Sequence, residues 1–157
     1  MKTLLVGMGN PLLCDDAVGV RLARDCKQKL GGTQDLEVIE ECTAYGLDLI
    51  ELFRGFERVI ILDSVRGSRP GSWYRTDARS LASTVHLMSI HDANLATALG
   101  LGRRLGVPLP DDAEIHILAV EVEDSCTFSE RMTPVMEDAY PEYAEAILLQ
   151  VREVLAA

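Results

Sequence analysis

Apolar positions along this chain follow two alternating rhythms, short near-continuous runs and longer stretches that recur with helical spacing. Residues 3–8 form one such run, as expected of a strand covered on both faces. Residues 15–30 follow, with Ala17, Val20 and Ala23, and Val18, Leu22 and Cys26, spaced as on a helix that Gly31-Gly32 stops. Residues 36–40 predict a second strand and residues 47–53 a short amphipathic helix. The run 58–63 predicts a third, apolar strand that ends on Asp63.

Farther on, residues 67–71 carry the Gly and Pro of a turn, 72–76 predict another strand, and 77–91 read as irregular. A helical pattern runs from Asp92 or Ala93 to Leu105 and is closed by Gly106 and Pro108. Residues 114–122 alternate, with Ile115, Ile117 and Ala119 on one face and His116, Leu118 and Val120 on the other. Thr133-Pro134 is an N-cap and first-turn pair for a final helix. Pro141 is expected to kink or split that helix, with Ala144, Ile147, Leu148, Val151 and Leu155 toward the core. Strand–helix alternation of this kind predicts an α/β fold, a three-layer α/β/α sandwich with a mostly parallel twisted sheet, over one domain, 1–157.

Composition narrows the partners. Lys and Arg number 15 against 25 Asp and Glu, a net charge of −10, which argues against nucleic acid or an anionic membrane surface. No apolar run approaches the roughly 20 residues of a membrane span. The short apolar start, with a single Lys, is no secretory signal. Cys14, Cys26, Cys42 and Cys126 form no CxxC pair, so they read as reduced thiols in a cytoplasmic protein.

Chemistry concentrates after the first strand, in Gly7-Met8-Gly9-Asn10-Pro11-Leu12-Leu13-Cys14-Asp15-Asp16. A strand-to-helix turn normally offers free N–H groups to an anion, yet here two carboxylates stand in it, which points to a cation. In parallel sheets ligands gather beyond the carboxyl ends of the strands, where Asp16 and Asp63 both fall. His91, just before the predicted helix, can join them from a loop. Two carboxylates and an imidazole form a ligand set for a first-row divalent metal with positions left open for substrate. Asp15 reads rather as a helix cap, Asp63 reads equally well as a turn cap, and His116 reads as a hydrogen-bonded core residue. A dinucleotide-binding reading of the glycine loop is weaker: Leu12 replaces the third glycine, Pro11 lacks an N–H, and both acids would repel a pyrophosphate.

At these residues the chain resembles the hydrogenase maturation endopeptidases, the proteases that finish the large subunit of nickel–iron hydrogenases. The family pattern of an apolar strand, Gly-x-Gly-Asn-x-Leu, a spacer and a pair of acids is matched by Gly7 to Asp16. Its later Asp closing an apolar strand is matched by Val59-Ile60-Ile61-Leu62-Asp63, and its Ser-x-His element by Ser89 and His91, with Leu95 four residues on. The opening of the last helix, residues 132–137, is also similar. The chain departs from the family at Glu41-Cys42-Thr43, where Gly-Gly-Thr is frequent, and at Ala17, where glycine is.

The resemblance implies an endopeptidase, of aspartyl type or metal-dependent, that removes the C-terminal extension of a hydrogenase large-subunit precursor after nickel insertion. Asp16, Asp63 and His91 would recognise the nickel carried by the substrate, and other divalent metals would fit the same ligands. No further catalytic residue is implied; Asn10, Asp15 and Thr43 are candidates for the surrounding shell or groove. The metal would polarise the scissile carbonyl or activate water. The expected enzyme is a monomer with an accessible groove. The alternatives are a related α/β metallopeptidase with another protein substrate, and a non-catalytic metal- or nucleotide-binding module.

Overall fold

A computed structural model describes residues 1–83 and 90–157, with side chains described for 1–81 and 95–157. Five strands, β1 (Thr3–Met8), β2 (Leu36–Cys42), β3 (Arg58–Arg66), β4 (Trp73–Asp77) and β5 (Ile115–Val122), form a sheet of order β2-β1-β3-β5-β4 among the described residues. The pairs β1/β2, β1/β3 and β3/β5 are parallel, and β4 is an antiparallel edge on β5. The helices are α1 (Val18–Leu30), α2 (Asp48–Phe53), α3 (Ala78–Ser83), α4 (Ile90–Arg104) and α5 (Pro134–Ala156).

Two hydrophobic layers explain the alternation in the sequence. Leu5, Ile60, Leu62, Leu118 and Val120 pack with Val18, Leu22 and Ala23 of α1 and with Met136, Ile147 and Val151 of α5. Leu4, Val6, Val59, Ile61, Ile115 and Ile117 pack on the other side, with Leu49, Ile50 and Phe53 of α2 and Leu95, Ala98 and Leu99 of α4. The central strands β1, β3 and β5 are apolar at successive positions because both faces are covered. The β5 face assignment from alternation holds residue by residue. The three-layer α/β sandwich is as expected.

Several boundaries differ from the sequence reading. Residues 78–83 are helical (α3), within the stretch expected to be irregular; Asp77 accepts the Ser80 N–H at 2.7 Å, a local start signal. Ser89 and His86 lie outside the described residues. The helix expected from residue 15 begins at Val18, preceded by a tight 3-10 turn over Cys14–Ala17. Strand β3 does not end on Asp63 but continues to Arg66, because β5 pairs with it as far as Val122. Helix α5 runs unbroken through Pro141. Pro141 and Glu137, whose carbonyl loses its partner four residues on, are both exposed, so water can satisfy that carbonyl.

Helix α1 sits close against the backbone of β1 and β3. A Cβ on Gly19 would collide with the carbonyls of Met8 on β1 and Leu62 on β3. Replacing glycine by alanine in a helix is ordinarily favourable by about 1 kcal/mol. Here the obstacle is backbone on two strands, and overpacking of this kind typically costs about 1–3 kcal/mol. Gly19→Ala should therefore lower stability, measured as a reduced midpoint in urea unfolding with an unchanged slope.

Candidate active site at the carboxyl end of the sheet

Past the Gly7–Leu62 pair, β1 no longer flanks β3, whereas β3 keeps its pairing with β5 for four more residues. A cavity of about 450 Å³ opens at this step. Met8, Gly9, Asn10 and Leu13 form one wall and residues 42–46, with Thr43 and Tyr45 among them, the other. Leu49, Ile61, Leu95 and Ile117 add an apolar lining, and Asp16 and Asp63 supply the acids. It lies beyond the carboxyl ends of the parallel strands, where an open α/β sheet collects ligands.

The two carboxylates are held in detail. Asp16 Oδ2 accepts the backbone N–H of Asn10 at 2.8 Å, and Oδ1 accepts the hydroxyl of Ser64 at 2.6 Å. Asp63 is buried, 6% exposed, and its Oδ1 accepts the Ser64 backbone N–H at 2.8 Å. Asn10 also folds the loop back on itself, its Oδ1 accepting the Leu12 N–H at 2.9 Å. Gly9 has φ of +126°, and a Cβ there would collide with the Asp16 carbonyl, so the loop can close on Asp16 only with glycine at this position. Thr43 lines the opposite wall and is exposed.

Position 91 falls in the first turn of α4, one turn before Leu95; the His91 side chain lies outside the described residues. Among the described residues no three His, Cys, Asp or Glu side chains are arranged to hold a metal ion. Asp16 and Asp63 both line the cavity, as does Cys42, whereas Asp15 does not. Hard carboxylate donors suit a divalent cation and leave most of its coordination to others.

A family model described as hydrogenase maturation protease matches residues 20–150 of this chain. The chain belongs to the hydrogenase maturation protease family. It is 26% identical over 165 residues to the hydrogenase 2 maturation protease of Escherichia coli (strain K12), covering 98% of this chain and 92% of that protein. The solved structure of the hydrogenase maturating endopeptidase HybD from E. coli superposes with a TM-score of 0.74 at 26% identity, covering 98% of this chain and 93% of that one. The [NiFe] hydrogenase maturation protease HybD from Thermococcus kodakarensis is similar in fold, with a TM-score of 0.70 at 21% identity and complete coverage of both chains. The family suggested by the loop and strand motifs is thus the one the chain belongs to, and it makes this protein a protease.

In the protease, Asp15 does not cap its own helix and does not line the cavity. Its side chain is fully buried. The carboxylate accepts the N–H groups of Glu123 at 3.2 Å, Asp124 at 2.9 Å and Thr133 at 2.7 Å, and the Thr133 hydroxyl at 3.0 Å. Thr133 is the N-cap of α5, so the acid sits at the positive end of a helix other than its own. Sequence periodicity carries no trace of this contact, which spans more than a hundred residues.

The thiols are equally settled by packing. Burial and the adjacent Asp15 charge hold Cys14 above the usual thiol range, and Cys14 is not part of the cavity wall. Cys42 does line the cavity; its pKa is also raised by burial, and Asp63 adds to that shift. All four cysteines are free, as expected. His116 is the expected hydrogen-bonded core histidine: it is buried, and the Arg75 guanidinium donates to Nδ1 at 3.4 Å. Burial, then the Arg75 charge, pushes its pKa below the ordinary 6.5.

Sequence reading missed Ser64, which bonds to both cavity carboxylates. It missed as well that adjacent Asp15 and Asp16 do different work. Asp15→Asn replaces an acceptor by an NH2 group facing buried donors, and each donor left unsatisfied costs about 1–3 kcal/mol. The expected outcome is a drop in unfolding free energy of at least about 2 kcal/mol, read by chemical denaturation.

Proposed function

We propose that this protease removes the C-terminal extension of a nickel–iron hydrogenase large-subunit precursor, and does so after nickel has been inserted. The observation that supports this reading most is the meeting of Asp16 and Asp63, 47 positions apart in sequence, at one cavity and on one shared residue, Ser64. Two carboxylates bind a free ion weakly, yet they complete the coordination of a metal already held by substrate ligands. Recognition then reports whether the client has been loaded. His91 is the proposed third donor: on a helix, positions four apart share a face, and Leu95 lines the cavity.

The apolar floor of Leu49, Ile61 and Ile117 supports an extended tail lying between the Gly9–Leu13 wall and the Thr43–Gly46 wall. The substrate-borne metal supplies Lewis acidity, by polarising the scissile carbonyl or activating water. Around it, the enzyme's own residues orient and exclude. Asn10 and Ser64 hold Asp16 in place, and the Thr43 wall covers the tail. We further propose that the enzyme works as a monomer in the cytoplasm, in keeping with its four free cysteines. No helix among the described residues is long and apolar enough to cross a membrane.

Purified enzyme mixed with nickel-loaded and nickel-free precursor should release the tail only from the loaded form. Equal cleavage of both, or of neither, overturns the nickel-sensing reading. Asp16→Ala, Asp63→Ala and His91→Ala should each lower the cleavage rate by more than about 100-fold, beyond the 10–100-fold typical of outer-sphere changes, with unfolding curves close to the parent's. Any variant that cleaves normally removes that residue from the site. Cys14→Ala should process the client at close to the parent rate, because the thiol lies off the cavity; complete loss would restore a thiol-based mechanism.

A further inference from the structure

Ser64 follows Asp63 directly on β3, and the two side chains belong to opposite faces of the strand. Ile61 and Val65, which share the parity of Asp63, pack in the α2/α4 layer, whereas Ile60 and Leu62, which share that of Ser64, pack in the α1/α5 layer. Asp16 arrives from the α1 side, in the turn that precedes that helix. The two carboxylates thus reach the cavity from opposite sides of one strand. Ser64 stands at the crossing, its hydroxyl on Asp16 Oδ1 at 2.6 Å and its N–H on Asp63 Oδ1 at 2.8 Å.

We propose that Ser64 is a positioning residue for metal recognition: its hydroxyl, with the Asn10 N–H on the other oxygen, fixes the plane of the Asp16 carboxylate relative to Asp63 before the client's metal arrives. An acid at the mouth of a turn, anchored at only one oxygen, can swing out to water, and that freedom must be lost on binding. Anchoring both oxygens removes the loss in advance, the role that hydrogen-bonding partners play behind metal-ligating carboxylates. The inference rests on the carboxylate reading given under the proposed function. No backbone rule requires serine at this position of a strand. Its hydroxyl is explained by the bond to Asp16.

The test compares Ser64→Thr with Ser64→Val, two side chains of the same shape of which only the first keeps the hydroxyl. Nickel ion alone is titrated into each variant, the parent and Asp16→Ala by calorimetry, with thermal unfolding recorded in parallel. Parent and Ser64→Thr should bind alike to within a few-fold. Ser64→Val and Ser64→Ala should bind about 10–100-fold more weakly, while unfolding midpoints for Thr and Val stay together. Equal binding by Ser64→Thr and Ser64→Val, with Asp16→Ala impaired, overturns the positioning role and leaves the carboxylate reading standing. Measurable nickel binding by the parent that Asp16→Ala matches overturns both.

Discussion

A fully buried carboxylate, Asp15, is the constraint on which the geometry of this end of the molecule depends. A lone ionised acid in a protein interior is costly, by several kcal/mol even after relaxation. Here that cost is offset by donors from two remote segments, the Glu123–Asp124 backbone after β5 and Thr133 at the start of α5. Those bonds can form only if the loop after β1 turns tightly, and the 3-10 turn of Cys14–Ala17 provides the turn. The last helix, the end of β5 and the first loop are thereby locked together.

The same turn separates the two acids. Adjacent carboxylates at ~4 Å in a medium of effective dielectric 20 repel by about 4 kcal/mol. Asp15 points inward to its N–H donors, and Asp16 points to Asn10 and Ser64. The pair therefore does two jobs with two environments: one acid holds the fold, and the other faces the cavity. Helix α1 packs closely on Met8 of β1 and Leu62 of β3, a contact that Gly19 permits.

The cavity follows from the different lengths of the strand pairings. Because the pairing of β1 with β3 ends one residue before Asp63, that acid lies along a stretch of β3 paired on one side only, with β5. Its backbone is fixed by β5, and its side chain lines the cavity. A site assembled this way is rigid on its sheet side and bounded by loops on the other. That arrangement suits an enzyme of this family, whose substrate is another protein.

Much of this was legible in the residues themselves. The apolar runs at β1, β3 and β5, the face alternation of Ile115 to Val120, and the Thr133-Pro134 helix start all follow from local rules that act over a few residues. The glycine loop, the paired acids and Asp63 also marked the carboxyl end of the sheet as the place of interest. Periodicity could not show where β3 stops, since a strand ends where its neighbour's pairing ends, and β5 carries it past Asp63 to Arg66. Nor could it distinguish Asp15 from Asp16 or single out Ser64. Hydrogen bonds spanning 48 and 118 positions are fixed only when the chain has folded. The sequence by itself determined the layers and the chemical types at the rim. Tertiary structure decided which acid is buried, which is presented, and what holds the presented one still, because those outcomes depend on donors brought in from distant segments.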